Sequence, residues 1–451
     1  MAKIRRLLIA NRGEIALRIL RACHELGIES VLAYSEADTD SLPVRLADKR
    51  VCIGPAPASK SYLNMTAIVG TAVAYRADAI HPGYGFLAEN ASFARLCEKE
   101  GIVFVGPSSD VIERMGDKIE ARAIARAAGA PTIPGSEGAV SSVAAARKIA
   151  EDIGFPLLVK AAAGGGGRGM RVIGSDAELE KGLSEAMSEA EAAFGDGSVY
   201  LEKFLTDIRH IEVQVLSDGC NTLHLGERDC TSQRRNQKLL EEAPSTALSE
   251  PLRLALFEAA KRICTRVGYT NAGTIEFVLD NAEQKFYFIE MNTRIQVEHP
   301  VTEMITGIDI VKQQLGIAGG KGLGLRQEDV EFRGHSIECR VNAEDPDREF
   351  LPSPGVVSNY LAPGGPGIRI DSHLENGYRI PPFYDSMIAK VISWGIDRQE
   401  AIDRMIRALS ELQLKGVKTT VPLHLQILRH PRFRSGEINT GFVAQMLSRP
   451  V

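Results

Sequence analysis

Between Phe286 and Glu298 the chain reads Phe-Tyr-Phe-Ile-Glu-Met-Asn-Thr-Arg-Ile-Gln-Val-Glu. Glu290, Asn292, Arg294, Gln296 and Glu298 alternate there with Met291, Thr293, Ile295 and Val297. A period of two predicts an extended segment with two faces. One face packs, and the other presents carboxylates, amides and a guanidinium along about 27 Å of backbone. Solvated strand faces are ordinarily rich in Lys, Thr and Ser. This one has the groups to hold a metal ion and an anion.

The preceding run, Gly273 to Asp280, predicts the first strand of a β-hairpin that turns over Asn281 to Lys285. That loop pairs Glu276 with Glu290 and Val278 with Phe288. Directly opposed Cβ atoms lie about 5 Å apart. Two ionised carboxylates at that distance repel by roughly 3 kcal/mol at an effective dielectric of about 20. A divalent cation between them offsets the repulsion, with Asn292 as a third oxygen ligand; oxygen-only donors select Mg²⁺ or Mn²⁺ over zinc. The alternative is a protonated or solvated acid pair.

A second candidate lies upstream. Pro156-Leu-Leu-Val-Lys160-Ala-Ala-Ala-Gly164-Gly165-Gly166-Gly167-Arg-Gly169-Met-Arg-Val-Ile173 predicts a strand, a glycine loop and a strand. Consecutive glycines cost backbone entropy, but their N–H groups can approach phosphate oxygens closely. Without the G-K-[ST] ending of a P-loop, the stretch reads as a hairpin flap over a triphosphate, with Lys118 and Lys160 as charge partners. Glu202-Lys203-Phe204-Leu205 follows the strand Ser198–Leu201 as an interdomain connection whose backbone can meet an adenine edge. His210 precedes the alternating strand Ile211–Leu216 and, alone, is more often structural. Arg228, Arg234, Arg235 and Lys238 gather near Glu241 and Glu242, a pattern that also fits a solvated charge run.

The scaffold for these groups is a chain of 451 residues, with room for about two to four domains. Its 44% hydrophobic and 25% charged residues are those of a globular protein. A net charge of −5 leaves no footprint for nucleic acid or an anionic membrane as main partner. The opening apolar run is too short for a signal peptide, and nothing elsewhere approaches a membrane span. Seven scattered cysteines without a C-x-x-C pair read as reduced thiols, which predicts a cytoplasmic protein.

The first hundred or so residues alternate strand and helix: a strand from Arg6, a helix over Gly13–Leu26 ended by Gly27, a strand at Ser30–Tyr34, and strand-then-loop stretches at Ala79–Gly85 and Ile102–Pro107. This is a Rossmann-like, doubly wound α/β unit. Its first turn, Asn11-Arg12-Gly13-Glu14, lacks G-x-G-x-x-G, which argues against a dinucleotide. A helix is expected over 118–131, and a smaller αβ unit over about 132–205. Mixed strands and helices run to 330. A last α+β unit follows, ending in a helix near Arg398 to Leu412.

Together and in this order, these pieces resemble biotin carboxylase, the ATP-grasp subunit of acetyl-CoA carboxylase and related biotin-dependent carboxylases. The resemblance covers essentially the whole chain. It is carried by Ile9-Ala-Asn-Arg-Gly-Glu-Ile-Ala16, His81-Pro-Gly-Tyr-Gly-Phe-Leu87, Met115-Gly-Asp-Lys118, Gly164–Met170, Glu227-Arg-Asp-Cys230, Gln233-Arg-Arg235, Phe288–Glu303 and Glu338-Cys-Arg-Val-Asn-Ala-Glu-Asp-Pro346. It implies an α/β fold with a Rossmann-like N-terminal domain (1–117), an ATP-grasp region (118–330) with a mobile lid at about 132–205, and a C-terminal α+β domain (331–447).

The resemblance also implies roles. Glu276, Glu290 and Asn292 match the family's metal ligands, for Mg²⁺ or Mn²⁺ and two such ions. Lys118, Lys160, Gly164 to Gly167, Glu202, Lys203, Phe204, Leu205, His210, Gln233 and Asn236 match its ATP contacts. Lys238, Arg294, Gln296 and the backbone of Val297 match its bicarbonate site, and Glu298 its general base. Arg340 matches the residue that steadies the biotin enolate, with Tyr84 near the ureido ring. The implied reaction is ATP-dependent carboxylation of biotin by bicarbonate through carboxyphosphate. With no Met-Lys-Met site in the chain, the biotin is expected on a separate biotin carboxyl carrier protein, alongside carboxyltransferase subunits and a homodimeric partner copy. Acetyl-CoA is the first-choice acceptor, ahead of propionyl-CoA, other acyl-CoAs and pyruvate.

Asn236 stands where many members carry His, and Ala163 where some carry a fifth glycine. Carbamoyl-phosphate and purine-pathway carboxylating enzymes share the metal carboxylates but not Arg-Ile-Gln-Val-Glu or Glu-Cys-Arg. A non-catalytic nucleotide-binding regulatory module would be expected to have lost Glu298 or Arg340. A purely structural Arg340 would pair with Glu338 or Glu344.

Overall fold

A computed structural model describes residues 4–140, 142–162 and 170–448. The expected phosphate-binding glycines, Gly164 to Gly167, lie outside the described residues.

Strand β1 (Arg6–Ile9) is a buried apolar run, as a strand covered on both faces requires. Helix α1 (Gly13–Leu26) follows and stops where Gly27, at φ 67°, turns its N–H onto the helix-terminal carbonyls. With β2 (Glu29–Ser35), β3 (Lys49–Gly54), β4 (Ala79–His81) and β5 (Val103–Phe104), strand β1 forms a parallel sheet of order β3-β2-β1-β4-β5. Strand order reverses beside β1, where such sheets open a crevice. There the Asn11 amide donates to the carbonyls of Pro82 and Tyr84, at 2.7 and 2.8 Å, tying the β1–α1 turn to the loop after β4.

Helix α2 (Lys118–Ala127) is capped by Asp117, whose carboxylate accepts the N–H groups of Ile119 and Glu120. It ends four residues earlier than the sequence suggests, because Gly129 at φ 72° turns the chain away. A small antiparallel sheet follows, β7-β6-β8, made of β6 (Leu157–Ala161), β7 (Met170–Ile173) and β8 (Val199–Lys203). Helix α3 (Asp176–Phe194) covers it through Leu179, Leu183, Ala186 and Ala190.

The site is built on one eight-stranded sheet. Its members are β9 (Ile208–Asp218), β10 (Thr222–Arg234), β11 (Gln237–Ala243), β12 (Thr270–Asp280), β13 (Lys285–Asn292), β14 (His335–Asn342), β15 (Ile368–Ser372) and β16 (Met387–Gly395). The order is β13-β12-β9-β10-β11-β14-β16-β15. The sheet therefore runs straight through residue 330: β11 pairs with β14 from Leu240–Cys339 to Ala243–Ser336. Helix α4 (Glu250–Val267) buries Leu256, Phe257, Ala260 and Ile263 against Ile211, Val213, Ile275 and Phe277 on one face. The opposite face is also buried, yet it carries Glu212, Gln214 and Glu276. Helices α5 (His299–Thr306), α6 (Ile310–Ala318) and α7 (Arg398–Glu411) complete the frame.

Candidate active site

The β12–β13 hairpin sets the two acids. Asp280 accepts the N–H groups of Ala282 and Glu283 and lies opposite Lys285, so the loop has one residue fewer than the spacing predicts. Phe277 consequently faces Phe288, and Val278 faces Tyr287, not Phe288. A bulge at Ile289 then adds the missing residue, and Glu276 lies opposite Glu290 after all. The extended segment stops at Asn292, short of Glu298. Residues 293–298 form a turn that ends as the N-cap of α5, with Glu298 at φ −80°, ψ 9°. The polar face is thus folded back on itself, which brings Glu298 close to Glu276.

Lys238, on β11, is the hub. Its Nζ lies 2.6 Å from Glu212, 2.9 Å from Glu276 and 2.8 Å from Glu298. Burial alone would lower its pKa, but the three carboxylates raise it well above that of an ordinary lysine. The ligand-type atoms of His210, Glu212 and Glu276 approach within 4.8 Å of one another; here Lys238 itself supplies the cation. His210 lies within β9, not ahead of it, and its Nε2 is 3.1 Å from Glu276. That charge outweighs burial and raises the imidazole pKa.

Glu298 is fully buried. One oxygen accepts from Lys238 and the other from Arg340 at 2.9 Å. Burial would raise its pKa, but Lys238, Arg340 and Arg228 hold it well below the carboxylate range, so it is ionised. Arg340 also donates to Glu241 at 2.6 Å. Neither Glu338 nor Glu344 is its partner; both Glu338 oxygens lack any hydrogen bond. Arg294 is held by three side chains, Glu89 at 2.8 Å and Gln296 and Asn292 at 2.9 Å each, and by the Ile295 carbonyl at 3.3 Å.

The carboxylates fit a hard divalent cation. Burial and the charge of Glu276 raise the pKa of Glu290, the signature of two acids competing for one space. Lys118 is 3.8 Å from Glu290. Asn292 departs from expectation: its oxygen accepts from Arg294 and its NH₂ donates to Glu276 at 2.8 Å, so its amide must rotate to ligate an ion shared by both acids.

One cavity of about 590 Å³ is lined by Tyr84, His210, Gln233, Asn236, Lys238, Glu276, Glu290, Asn292, Arg294, Gln296, Val297 and Arg340. Asn236 sits at φ 63° in the two-residue turn between β10 and β11, a conformation asparagine tolerates. Lys160 pairs with Glu202 at 2.5 Å, and Glu202 also takes Arg122. The amides of Lys203 and Phe204 are bonded to the carbonyls of Pro134 and Pro156, and Leu205 follows them. Arg228 is no solvated charge: fully buried, it binds Glu212, Gln214, Thr274 and Thr302.

Sequence reasoning missed Glu212, Arg228, Glu241 and Glu89 as parts of the site. Glu212 and Gln214 do share the alternation of Ile211-Glu-Val-Gln-Val, a signal of the same kind as that of Glu290. Glu89 reaches Arg294 across about two hundred residues and gives no local signal.

The family model described as Biotin carboxylase, N-terminal domain, matches residues 3–112. That of the Carbamoyl-phosphate synthase L chain, ATP binding domain, matches 117–326, and that of the Biotin carboxylase C-terminal domain 338–445. Biotin carboxylase 1 of Bacillus subtilis is 57% identical over 441 residues, covering 98% of both chains. Biotin carboxylase of Campylobacter jejuni, solved as a β,γ-ATP complex, superposes with a TM-score of 0.95 at 49% identity, over 98% of this chain and 99% of that one. The biotin carboxylase domain dimer of Hydrogenobacter thermophilus 2-oxoglutarate carboxylase, solved with MgADP, ADP and bicarbonate, gives 0.94 at 49% identity, over 99% and 98%. The chain belongs to the biotin carboxylase family of ATP-dependent ligases. Among the described residues no helix is long and apolar enough to cross a membrane.

Proposed function

We propose that this chain carboxylates biotin carried by a separate biotin carboxyl carrier protein, using ATP and bicarbonate, as the first half-reaction of an acetyl-CoA carboxylase. The observation that carries the reading is Glu298, ionised between Lys238 and Arg340 beside the Arg294–Gln296 pair. Bicarbonate is a weak nucleophile. Arg294, Gln296, Lys238 and the Val297 backbone hold its oxygens while Glu298 takes its proton. The anion then attacks the γ-phosphate of ATP, held by Lys118, Lys160, His210, Gln233, Asn236, the Glu202–Leu205 connection and the glycine loop, and ADP leaves as the β,γ-bridging bond breaks and carboxyphosphate forms. Glu276 and Glu290, with Asn292 after rotation, would hold Mg²⁺ or Mn²⁺, two ions in all. Bound there, the metal neutralises charge on the triphosphate. Carboxyphosphate releases CO₂ and phosphate. Phosphate removes the biotin N1 proton, Arg340 stabilises the resulting oxyanion near Tyr84, and N1 then attacks the CO₂ to form carboxybiotin.

The units 1–117, 118–330 (with the lid at about 132–205) and 331–447 are the proposed nucleotide-flanking, ATP-grasp and C-terminal parts. A homodimer, carboxyltransferase subunits and a cytoplasmic location complete the reading. The Hydrogenobacter relative is a domain of a 2-oxoglutarate carboxylase; on this reading the carboxyl acceptor is set by the carboxyltransferase. The test is ADP release with bicarbonate and free biotin each added and omitted. Release that requires bicarbonate and rises with biotin supports the assignment. Release indifferent to both refutes it.

A further inference from the structure

Lys390 is a fully buried lysine where three parts of the chain meet. Register on β16 sets it opposite Arg340 on β14 and Asp371 on β15. Its ammonium donates to the Val297 carbonyl at 2.9 Å and lies 3.1 Å from Glu14 and 3.7 Å from Asp371. The ammonium thus hydrogen-bonds the Val297 carbonyl and forms ion pairs with the two carboxylates, the Asp371 one too long for a hydrogen bond. The same Glu14 oxygen that faces Lys390 accepts the hydroxyl of Tyr84. Burial would lower the pKa of Lys390, but Glu14, Glu338 and Asp371 raise it, so the charge persists.

A buried ammonium is costly, and an all-apolar cluster in place of Lys390 and its acids would serve stability as well or better, whereas losing Lys390 alone leaves Glu14 and Asp371 without this counter-charge. A methionine there could not hold the Val297 carbonyl and the Glu14 carboxylate at one point. Val297 directly precedes Glu298, on the bicarbonate side of the cavity, and Tyr84 stands on its biotin side. Among the groups named here, Lys390 is the one that joins both.

We propose that Lys390 is a positioning residue that fixes the Val297–Glu298 backbone and Tyr84 relative to each other, and thereby sets transfer of the carboxyl group onto biotin. The proposal rests on the roles assigned above. Its effect should fall on coupling, the carboxybiotin formed per ADP released, and not on the binding of ATP.

The test compares wild type, Lys390→Met, Tyr84→Phe, their double variant and Glu14→Gln, all in the full chain. Carboxybiotin, ADP and melting temperature are measured on one preparation. In Lys390→Met the carboxybiotin-to-ADP ratio should fall about tenfold, the loss of one charged hydrogen bond, with KM for ATP within about twofold of wild type. Adding Tyr84→Phe should lower the ratio little further, because both residues act through Glu14. If Lys390→Met does not fold, Glu14→Gln should show the fall by itself. An unchanged ratio in the folded variants, equal losses of both products with a lower melting temperature, or independent multiplicative effects in the double variant would each overturn the proposal. A wild-type chain that makes no carboxybiotin would instead overturn the underlying assignment.

Discussion

The Lys238 ammonium bridges Glu298 and Glu276, at 2.8 and 2.9 Å, and so joins the proposed general base to one of the proposed metal ligands. Glu298 keeps its charge because of that contact and of Arg340. A base so strongly stabilised as an anion is a weak proton acceptor in this arrangement. Were Lys238 to turn toward an incoming bicarbonate, the carboxylate would be less neutralised and its basicity would rise, which would make anion binding and base activation one event.

Glu298→Gln should leave nucleotide binding in place and lower bicarbonate-dependent ADP release by on the order of 10²–10⁴. Steady-state turnover and ATP affinity on the same sample check this. A variant keeping more than half the wild-type turnover would exclude Glu298 as the base.

Glu290→Gln removes one of two facing carboxylates while keeping shape. The Mg²⁺ or Mn²⁺ concentration needed for half-maximal ADP release should rise about tenfold or more. Metal titrations of both proteins decide the point; coincident curves would remove Glu290 from the ligand set.

Arg340→Ala should lower carboxybiotin yield more than bicarbonate-dependent ADP release, since the biotin oxyanion loses its counter-charge. The second activity should fall too, because Arg340 also bonds Glu298. Parallel assays of both products test the ordering. Equal losses with a lowered melting temperature would make Arg340 a structural residue.

Burial pushes the Glu241 carboxyl up to about 7, against the pull of Arg340 and with Glu298 adding to the rise. The folded state then holds a proton up to about pH 7, and the unfolded chain only to about 4.3. Between those values the folded protein binds more protons, so this group's contribution to stability is present at low pH and is lost as pH rises through 7. Glu241→Gln removes that dependence. Its melting temperature minus that of wild type should increase from pH 5 to pH 8, the whole effect amounting to about 3 kcal/mol at most. A difference that is flat or falls with pH would contradict the raised carboxyl.

Much of the site could be read from residue order alone, because the Glu276–Glu290 pair and the Arg294–Gln296 pair are local and alternation reports local geometry. The other expected pair, Val278 with Phe288, is off by one residue, since Val278 faces Tyr287. A shorter turn at Asp280 and a bulge at Ile289 cancel at Glu276, but not between them. Glu298 was expected at the far end of an extended face, whereas the chain reverses after Asn292 to start α5. Bulges and reversals depend on packing against other segments, which periodicity does not encode. For the same reason Arg228 resembled a surface charge until β9, β12 and α5 closed over it.

The pairing of β11 with β14 has a consequence for how this chain can be divided. Ending the polypeptide near residue 330 would not release a self-sufficient nucleotide-binding half. It would bare the backbone donors and acceptors of Leu240 to Ala243 as an open strand edge, which invites association with other chains. It would also remove Arg340 from Glu298 and Glu241, leaving two buried acids short of a counter-charge. Fusions, tags and shuffled partners therefore belong at the ends of this chain, and the stretch between α6 and β14 is a poor place to cut.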